Sequence, residues 1–206
     1  MPDYHIPIQP DKTYHILSRA VGSEKLFKVE DNYRYFLEQF QRKVSGVAEL
    51  MAYCLIPNHF HFLVQIKSEG EILALFEKAK PGKKYQPEIC SDFIMERFSN
   101  WLNGYTKAFN IQQKRKGALF IDYLRRVEIE RDSQYSATLF YIHKNPVHHG
   151  LVKEMGDWKW SSYKAFLSNL PTKLPRQEIW NWFGGQEQYE IFHTQPIDLK
   201  HDGEMV

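Results

Sequence analysis

The sequence is poor in cysteine and has no long apolar run. Its two cysteines, Cys54 and Cys90, form no CxxC spacing. That argues against a disulfide scaffold or a cysteine-rich zinc site and favours a reducing compartment. No segment approaches the roughly 20 apolar residues that a membrane-spanning helix needs. Residues 1–5 lack the basic start and apolar run of a secretory signal. We therefore expect a cytoplasmic protein with no membrane partner.

The chain also lacks a strong excess of charge of one sign. Its formal net charge is +2, so the total neither requires nor excludes a polyanionic partner, and local charge matters more. Hydrophobic residues make up 43% of the 206 residues and aromatic residues 15%. This is enough for a sizeable core in one domain with appendages.

Two histidines stand two residues apart in a stretch rich in strand formers. Because side chains alternate along a strand, His59 and His61 should face one way, and Phe60 and Phe62 the other. The phenylalanines can then enter a core. The two imidazoles form a candidate half-site for a divalent metal. Ordinary half-buried histidines produce the same pattern, so the pair alone does not decide between the two interpretations.

The periodicity of the first 130 residues predicts the element order βαββαβ. Apolar residues recur at helical steps in two segments, and strand formers with turn residues at their ends mark four others. Residues 68–90 are irregular, with a loop at 81–84. This order is typical of a ferredoxin-like α+β sandwich, in which helices cover an antiparallel sheet. The predicted strands span 13–21, 48–56, 59–66 and 118–129, and the predicted helices span 31–45 and 91–110.

A further helix is predicted over 133–144, with Asn145-Pro146 ending it, because the residue before proline avoids the α region. We expect one domain over residues 10–150, with residues 151–206 as an extension packed on or beside it. Within that extension only a stretch around 177–183 has a helical pattern.

The late helix bears on the histidines because Tyr141 and Asn145 are four residues apart and share one face. If the helix packs across the sheet face with His59 and His61, the Asn145 amide oxygen becomes a third metal ligand. The Tyr141 hydroxyl then projects toward the same metal, an arrangement suited to phosphodiester cleavage by attack of the phenol on phosphorus. A core tyrosine and a helix-ending asparagine remain the alternatives. Tyr135 and Tyr105 are weaker candidates, since neither has an amide one turn later.

Several motifs, taken in order, resemble one family. The His59–His61 segment has the form of the HUH signature. The segments at 14–19 and 53–59 fit the same pattern, as does Phe-Tyr-Ile-His-Lys-Asn-Pro-Val-His-His-Gly-Leu-Val at 140–152, followed by Asp-Trp-Lys-Trp-Ser-Ser-Tyr at 157–163. Together they are similar to the REP-associated tyrosine transposases, which belong to the single-tyrosine HUH transposases of insertion sequences. The resemblance covers about residues 10–166.

The resemblance implies that His59, His61 and Asn145 bind Mg²⁺ or Mn²⁺ and that Tyr141 is the nucleophile. It also implies cleavage and rejoining of single-stranded DNA beside a hairpin, with the 5′ phosphate kept on the tyrosine and a 3′ hydroxyl freed. Because relatives include monomers and dimers, a homodimer stays open. The chain departs from the family in its long 68–92 segment and in Ala118, where many relatives carry histidine. Both departures bear on the DNA contacts.

Local charge favours a nucleic-acid partner. Seven basic residues and three acidic residues fall between Lys107 and Arg131, an excess suited to phosphate contacts. A solvated charged surface is the alternative. Two other hypotheses remain: a hairpin-DNA-binding protein with little or no catalysis, and a hydrolase that activates water at the two histidines. The candidate DNA contacts are Lys114, Arg115, Lys116, Arg125, Arg126, Lys144, His148 and His149.

Overall fold

The computed structural model describes residues 6–86, 89–121 and 124–195. Four strands form one antiparallel sheet in the order β2-β3-β1-β4, which confirms the predicted ferredoxin-like α+β fold. No helix of the described ranges is long and apolar enough to cross a membrane. The strands are β1 (Thr13–Arg19), β2 (Ala48–Ile56), β3 (His59–Ile66) and β4 (Arg125–Ile129). The helices are α1 (Glu30–Lys43), α2 (Glu69–Ala79), α3 (Cys90–Gln112), α4 (Asp132–His148), α5 (Tyr163–Leu167), α6 (Arg176–Phe183) and α7 (Gln186–Thr194).

The alternation along β3 distributes its side chains between two faces, as predicted. Phe60 and Phe62 lie fully buried in the core under α1 and α3. His59 and His61 face the other side, where they line a cavity together with Tyr141 of α4. One strand therefore contributes both to the larger core and to a polar site.

The larger core is built from aromatic rings of α1, α3 and β3. Trp101 of α3 is fully buried, and its indole N–H donates to the Phe36 carbonyl at 3.0 Å. Its ring stacks on Phe62 with centroids 5.3 Å apart. The aromatic stripe of α3 is therefore core, as its helical spacing predicts.

We expect Trp101→Ala to lower the free energy of unfolding by about 3–5 kcal/mol, because it removes a large buried ring and leaves a cavity. Urea unfolding followed by circular dichroism measures the change. On the same helix, Ile111 is 71% exposed, so Ile111→Ala should change the free energy by less than about 0.5 kcal/mol. Equal losses in the two variants would contradict this account of the core.

The opposite sheet face is covered by α4 and by the helices after it. Leu63 and Cys54 of the sheet pack in a second cluster with Leu139 of α4, Phe166 of α5 and Ile179 of α6. The extension after residue 150 thus packs on the sheet face that carries the histidines. This packing positions α4 across β2 and β3.

Three segments differ from the sequence-based expectation. The irregular 68–90 stretch contains α2, which begins with a capping box between Ser68 and Glu71. In the predicted strand 118–129, only β4 is a strand, although Phe120 forms one bridge to Ala20; residues 122–123 lie outside the described part. The extension contains α5 and α7 besides the helix expected near 177–183.

The predicted end of the late helix at Asn145-Pro146 is wrong. Helix α4 continues through Pro146 to His148. Proline lacks only its own N–H, so the next turn still closes, with His149 N–H donating to the Asn145 carbonyl at 3.0 Å. Pro146 and Asn145 are both buried, and their packing outweighs the local preference against helix before proline. The chain then turns at Gly150, whose φ of 65° suits glycine.

Candidate active site

Helix α4 lies across β3 and brings the predicted catalytic and metal-binding residues together. Tyr141, His59 and His61 line one cavity, and Asn145 reaches His59 from one turn further along α4. The Tyr141 ring meets the His61 ring edge-on, with centroids 5.3 Å apart. Tyr141 therefore reaches the histidines of its own chain.

The ring of His59 is held between two asparagines. Its Nδ1 lies 3.0 Å from Asn58 Oδ1, and its Nε2 lies 3.2 Å from Asn145 Oδ1. The contact to Asn58 requires that Nδ1 carry the proton, because the amide oxygen only accepts. Nε2 of the neutral ring is then an acceptor that faces the Asn145 oxygen, a second acceptor. A cation would satisfy both atoms.

The ring of His61 is held from behind by a third histidine. His15 Nε2 lies 2.9 Å from His61 Nδ1, and the two rings stack with centroids 5.1 Å apart. The other nitrogen, His61 Nε2, is buried without a hydrogen-bond partner, and so is Nδ2 of Asn145. Unpartnered buried polar atoms are uncommon, and here two of them lie at the residues predicted to bind a metal.

Burial keeps the imidazoles neutral. Loss of solvation lowers the pKa of His15 to about 4. The same cause, with a smaller effect of His149, lowers the pKa of His59 to about 4. For His61 the pKa falls well below its ordinary value, mainly through burial and then through neighbouring His15. The neutral ring is the form that donates to a metal.

The phenol of Tyr141 is partly buried in the same place. Burial raises its pKa, while the nearby Asn145 side-chain amide acts in the opposite direction. The rival Tyr105 is 1% exposed and donates to the Leu26 carbonyl, so it is a core residue. Tyr135 is also buried and packs on Trp182 at 4.4 Å between centroids. Of these three tyrosines, only Tyr141 lies at the histidines.

The donor set could hold a divalent cation. The described residues contain no cluster of three His, Cys, Asp or Glu side chains placed to hold a metal, so a site there depends on the amide. The available ligands are two imidazole nitrogens and one amide oxygen, from His59, His61 and Asn145. Such a set binds Mg²⁺ or Mn²⁺ less strongly than carboxylates would. It leaves coordination positions open for phosphate oxygens.

The candidate DNA contacts separate into two groups. Arg125 and His149 line the cavity, Lys144 is half-buried on α4, and Lys114, Lys116 and His148 are exposed. Two others are engaged within the chain. Arg115 donates to Asn110 and Ala118 at 2.8 and 2.9 Å. Arg126 is 7% exposed and donates to the Ile6 and Leu124 carbonyls, so the structure does not offer it to a phosphate.

Sequence reasoning assigned no role to four polar residues of the site. His15 supports His61, Asn58 orients His59, and Ser18 and Arg19 line the cavity. A signal for two of them existed. The register pairs Leu17 with His61 and Arg19 with His59, so alternation along β1 places His15 and Arg19 on the histidine face.

We expect stability to fall as the pH drops from about 6.5 to about 4. His15 is neutral in the folded protein down to about pH 4 but titrates near 6.5 when unfolded. The unfolded chain therefore binds more protons in this window, and each such histidine adds a slope of up to about 1.4 kcal/mol per pH unit. The contribution of neutral His15 to the free energy of unfolding is fully present above pH 6.5 and is lost as the pH falls toward 4. Urea unfolding at several pH values in EDTA measures the slope, which His15→Gln should reduce. An unchanged slope in that variant would contradict the assignment.

Comparison with known proteins completes the description of the site. No family model matches the chain. It is 30% identical over 118 residues to a Haemophilus influenzae (strain ATCC 51907 / DSM 11121 / KW20 / Rd) protein named "Putative REP-associated tyrosine transposase". That match covers 56% of this chain and 58% of the relative, so the chain spans little more than half the relative's length.

A solved structure shows the same fold. It is a REP-associated tyrosine transposase bound to a REP hairpin, with a TM-score of 0.56 and 17% identity. The superposition covers 83% of this chain and 89% of that one. The sequence match confirms the resemblance read from the motifs, and the solved structure shares the fold: this chain is similar in sequence to a REP-associated tyrosine transposase.

Proposed function

We propose that the chain is a metal-dependent, transposase-like endonuclease for single-stranded DNA next to hairpins, with a 5′-phosphotyrosine intermediate. One observation carries the proposal. The Tyr141 phenol and two neutral imidazoles, from elements far apart in sequence, line one open cavity, and the buried Asn145 amide contacts one of these imidazoles. The relationship to REP-associated tyrosine transposases supports the same activity.

A divalent cation, Mg²⁺ or Mn²⁺, would be held by His59, His61 and Asn145. When bound, it supplies positive charge that stabilises the charge developing on phosphate oxygens. His15 and Asn58 would fix the two rings so that Nε2 of each points into the site, as hydrogen-bonded neighbours of metal-binding histidines commonly do.

Tyr141 would perform the covalent step. Its oxygen attacks phosphorus, a new O–P bond joins tyrosine to the 5′ side, and the 3′ oxygen leaves and takes up a proton. One phosphodiester replaces another, so a 3′ hydroxyl can reverse the reaction and rejoin DNA without an external energy source. Because burial raises the pKa of the Tyr141 phenol, its proton must be removed as the bond forms.

The DNA would lie across the cavity mouth. Arg19, Arg125 and His149 border the cavity, where cationic or polar side chains can contact phosphates on either side of the scissile bond. Exposed Lys114 and Lys116 follow α3 on a turn and provide a second set of phosphate contacts. A hairpin is the proposed partner, since the solved relative is bound to one. Such an enzyme would work in the cytoplasm, on the nucleoid.

The products distinguish the hypotheses. We expect single-stranded hairpin DNA labelled at its 3′ end, incubated with the protein and Mn²⁺, to yield a labelled protein–DNA adduct that survives SDS, because the tyrosine keeps the 5′ phosphate of the downstream fragment. A hydrolase that activates water would release two free fragments and no adduct. A binding protein without catalysis would retard the hairpin in a native gel and leave it intact. Either of these outcomes would overturn the proposal.

A further inference from the structure

A chain of buried hydrogen bonds lies on the far side of α4 from the active site. His143 is fully buried, and its Nε2 lies 2.7 Å from Ser162 Oγ. Its Nδ1 lies 3.0 Å from Nε2 of His193, on α7. His193 Nδ1 in turn lies 2.8 Å from the Tyr189 carbonyl. Ser162 accepts at 2.9 Å from the backbone N–H of Tyr53, on β2.

The position of each proton along this series of hydrogen bonds follows from the Tyr189 carbonyl at one end, which can only accept. A carbonyl only accepts, so His193 Nδ1 carries a proton and, in the neutral ring, Nε2 is an acceptor. His143 Nδ1 must then donate, which leaves His143 Nε2 to accept from the Ser162 hydroxyl. The Tyr53 carbonyl is satisfied separately by Ser162 N–H at 2.9 Å. The Ser162 hydroxyl also lies 3.2 Å from that carbonyl, but its contact with His143 Nε2 is shorter at 2.7 Å, so we assign its proton to His143. Both rings are then neutral.

Burial supports the neutral state of both rings. It lowers the pKa of His193 to about 4. A second proton on His193 would place two N–H groups against each other between the rings. The hydroxyl of Tyr189 lies 3.3 Å from His143 Nδ1 and closes the cluster on its remaining side.

The cluster bears on the active site through the geometry of the helix. Each residue turns an α-helix by about 100°, so His143 points away from Tyr141 and Asn145, which share the opposite face. Pro146, which lacks an N–H, removes the intrahelical bond to Ile142 in this same turn. The turn that carries the site therefore needs support from outside the helix.

We propose that His143 is a positioning residue, which the hydrogen-bond chain from Tyr53 through Ser162 and His193 to Tyr189 holds in place. Through it, α7 fixes the rotation of α4 and with it the Tyr141 phenol and the Asn145 amide over the histidines of β3. The anchor on β2 lies beside the site, since Cys54, the next residue after Tyr53, pairs with His61. Buried His143 and Ser162 cannot touch DNA. The expected effect on the rate of adduct formation rests on the proposed function. The hydrogen bonds themselves do not depend on it.

The test uses two replacements of His193 in the full chain. His193→Gln keeps a carbonyl oxygen to accept from His143, whereas His193→Phe fills the space and accepts nothing. We expect His193→Phe to slow adduct formation at saturating hairpin DNA by at least about tenfold, because a small displacement of a nucleophile is costly. His193→Gln should stay within about threefold of wild type, and the dissociation constant for the hairpin should change by less than about twofold in both.

A buried apolar neighbour provides the control. Ile179 lies fully buried in the apolar cluster that also contains Tyr189, and Ile179→Val removes one methyl group without touching the hydrogen bonds. Its adduct rate should stay within about twofold of wild type at a temperature below both unfolding transitions. Equal rates for His193→Phe and His193→Gln, or equal losses for His193→Phe and Ile179→Val, would overturn the positioning role.

Nitrogen NMR of the imidazoles tests the series of hydrogen bonds without any DNA. At pH 7 both His143 and His193 should be neutral with the proton on Nδ1, and the His149 amide, which donates to Asn145, should exchange faster in His193→Phe than in His193→Gln. A proton on Nε2 of His143, or identical exchange in the two variants, would overturn the proposal. If the wild-type protein forms no adduct, the proposed function fails, and these two measurements still decide whether the chain positions α4.

Discussion

Tyr141→Phe should abolish the SDS-resistant adduct and reduce cleavage of hairpin DNA by at least about 10³-fold, since it removes the hydroxyl of the proposed nucleophile. The variant loses one hydroxyl and keeps the ring. The edge-on contact with His61 at 5.3 Å and the packing of α4 should therefore persist. Hairpin affinity should stay within a few-fold of wild type, because the phosphate contacts are made by other side chains. Denaturing gels with labelled DNA measure the adduct, and a native gel measures binding.

Tyr105→Phe is the matched control. It removes the same hydroxyl from a tyrosine that is 1% exposed and bonded to the Leu26 carbonyl. We expect this variant to form the adduct at the wild-type rate and to lose about 1 kcal/mol of unfolding free energy, the usual value of one internal hydrogen bond. An adduct that persists in Tyr141→Phe, or one that disappears in Tyr105→Phe, would contradict the assignment of the nucleophile.

The sheet was predictable because its side-chain alternation is local. Strands β2 and β3 begin and end at the predicted residues. Phe60 and Phe62 fix the orientation of His59 and His61, since a shift of one residue would bury the imidazoles in the aromatic core. The helix α2 also had a local signal, the Ser68 and Glu71 capping box with Ile72 and Phe76 four residues apart, which was not recognised.

The elements that depend on tertiary packing were not predictable. Continuation of α4 through Pro146 accompanies burial of Pro146 and Asn145, which local sequence does not reveal. Helix α7 has only nine residues, and its buried residues Tyr189 and His193 acquire partners only when α4 is in place. Short helices of this kind are stabilised by packing rather than by propensity.

The candidate site divides in the same way. The spacing of Tyr141 and Asn145 identified one face of α4, and the meeting of that face with His59 could be stated only as a condition. Arg126 shows the limit of charge counting. Its position in a basic run suggested a phosphate contact, yet its guanidinium lies inside the protein against two backbone carbonyls. Charge along a sequence does not report which side chains remain exposed.

The second large effect concerns Asn145 and the metal. Asn145→Leu keeps the branched shape of this fully buried side chain but removes its oxygen, whereas Asn145→Asp supplies a carboxylate, a stronger ligand for Mg²⁺ and Mn²⁺. We expect Asn145→Leu to weaken Mn²⁺ binding by at least about tenfold and Asn145→Asp to retain or strengthen it. Titration of free Mn²⁺ by electron paramagnetic resonance measures the affinity without DNA or catalysis.

Controls on both sides of Asn145 make this result specific. His59→Ala should also lose Mn²⁺ affinity, because its Nε2 faces the Asn145 oxygen at 3.2 Å. His148→Ala removes an exposed imidazole of the same helix and should leave Mn²⁺ affinity within about twofold of wild type, since a surface imidazole outside the cavity contributes no ligand. Equal affinity in Asn145→Leu and Asn145→Asp would show that the amide is no ligand. The contact between His59 Nε2 and Asn145 Oδ1 would then need a different explanation, such as a proton on His59 Nε2. If only His59→Ala lost Mn²⁺ affinity, the metal site would consist of the imidazoles alone.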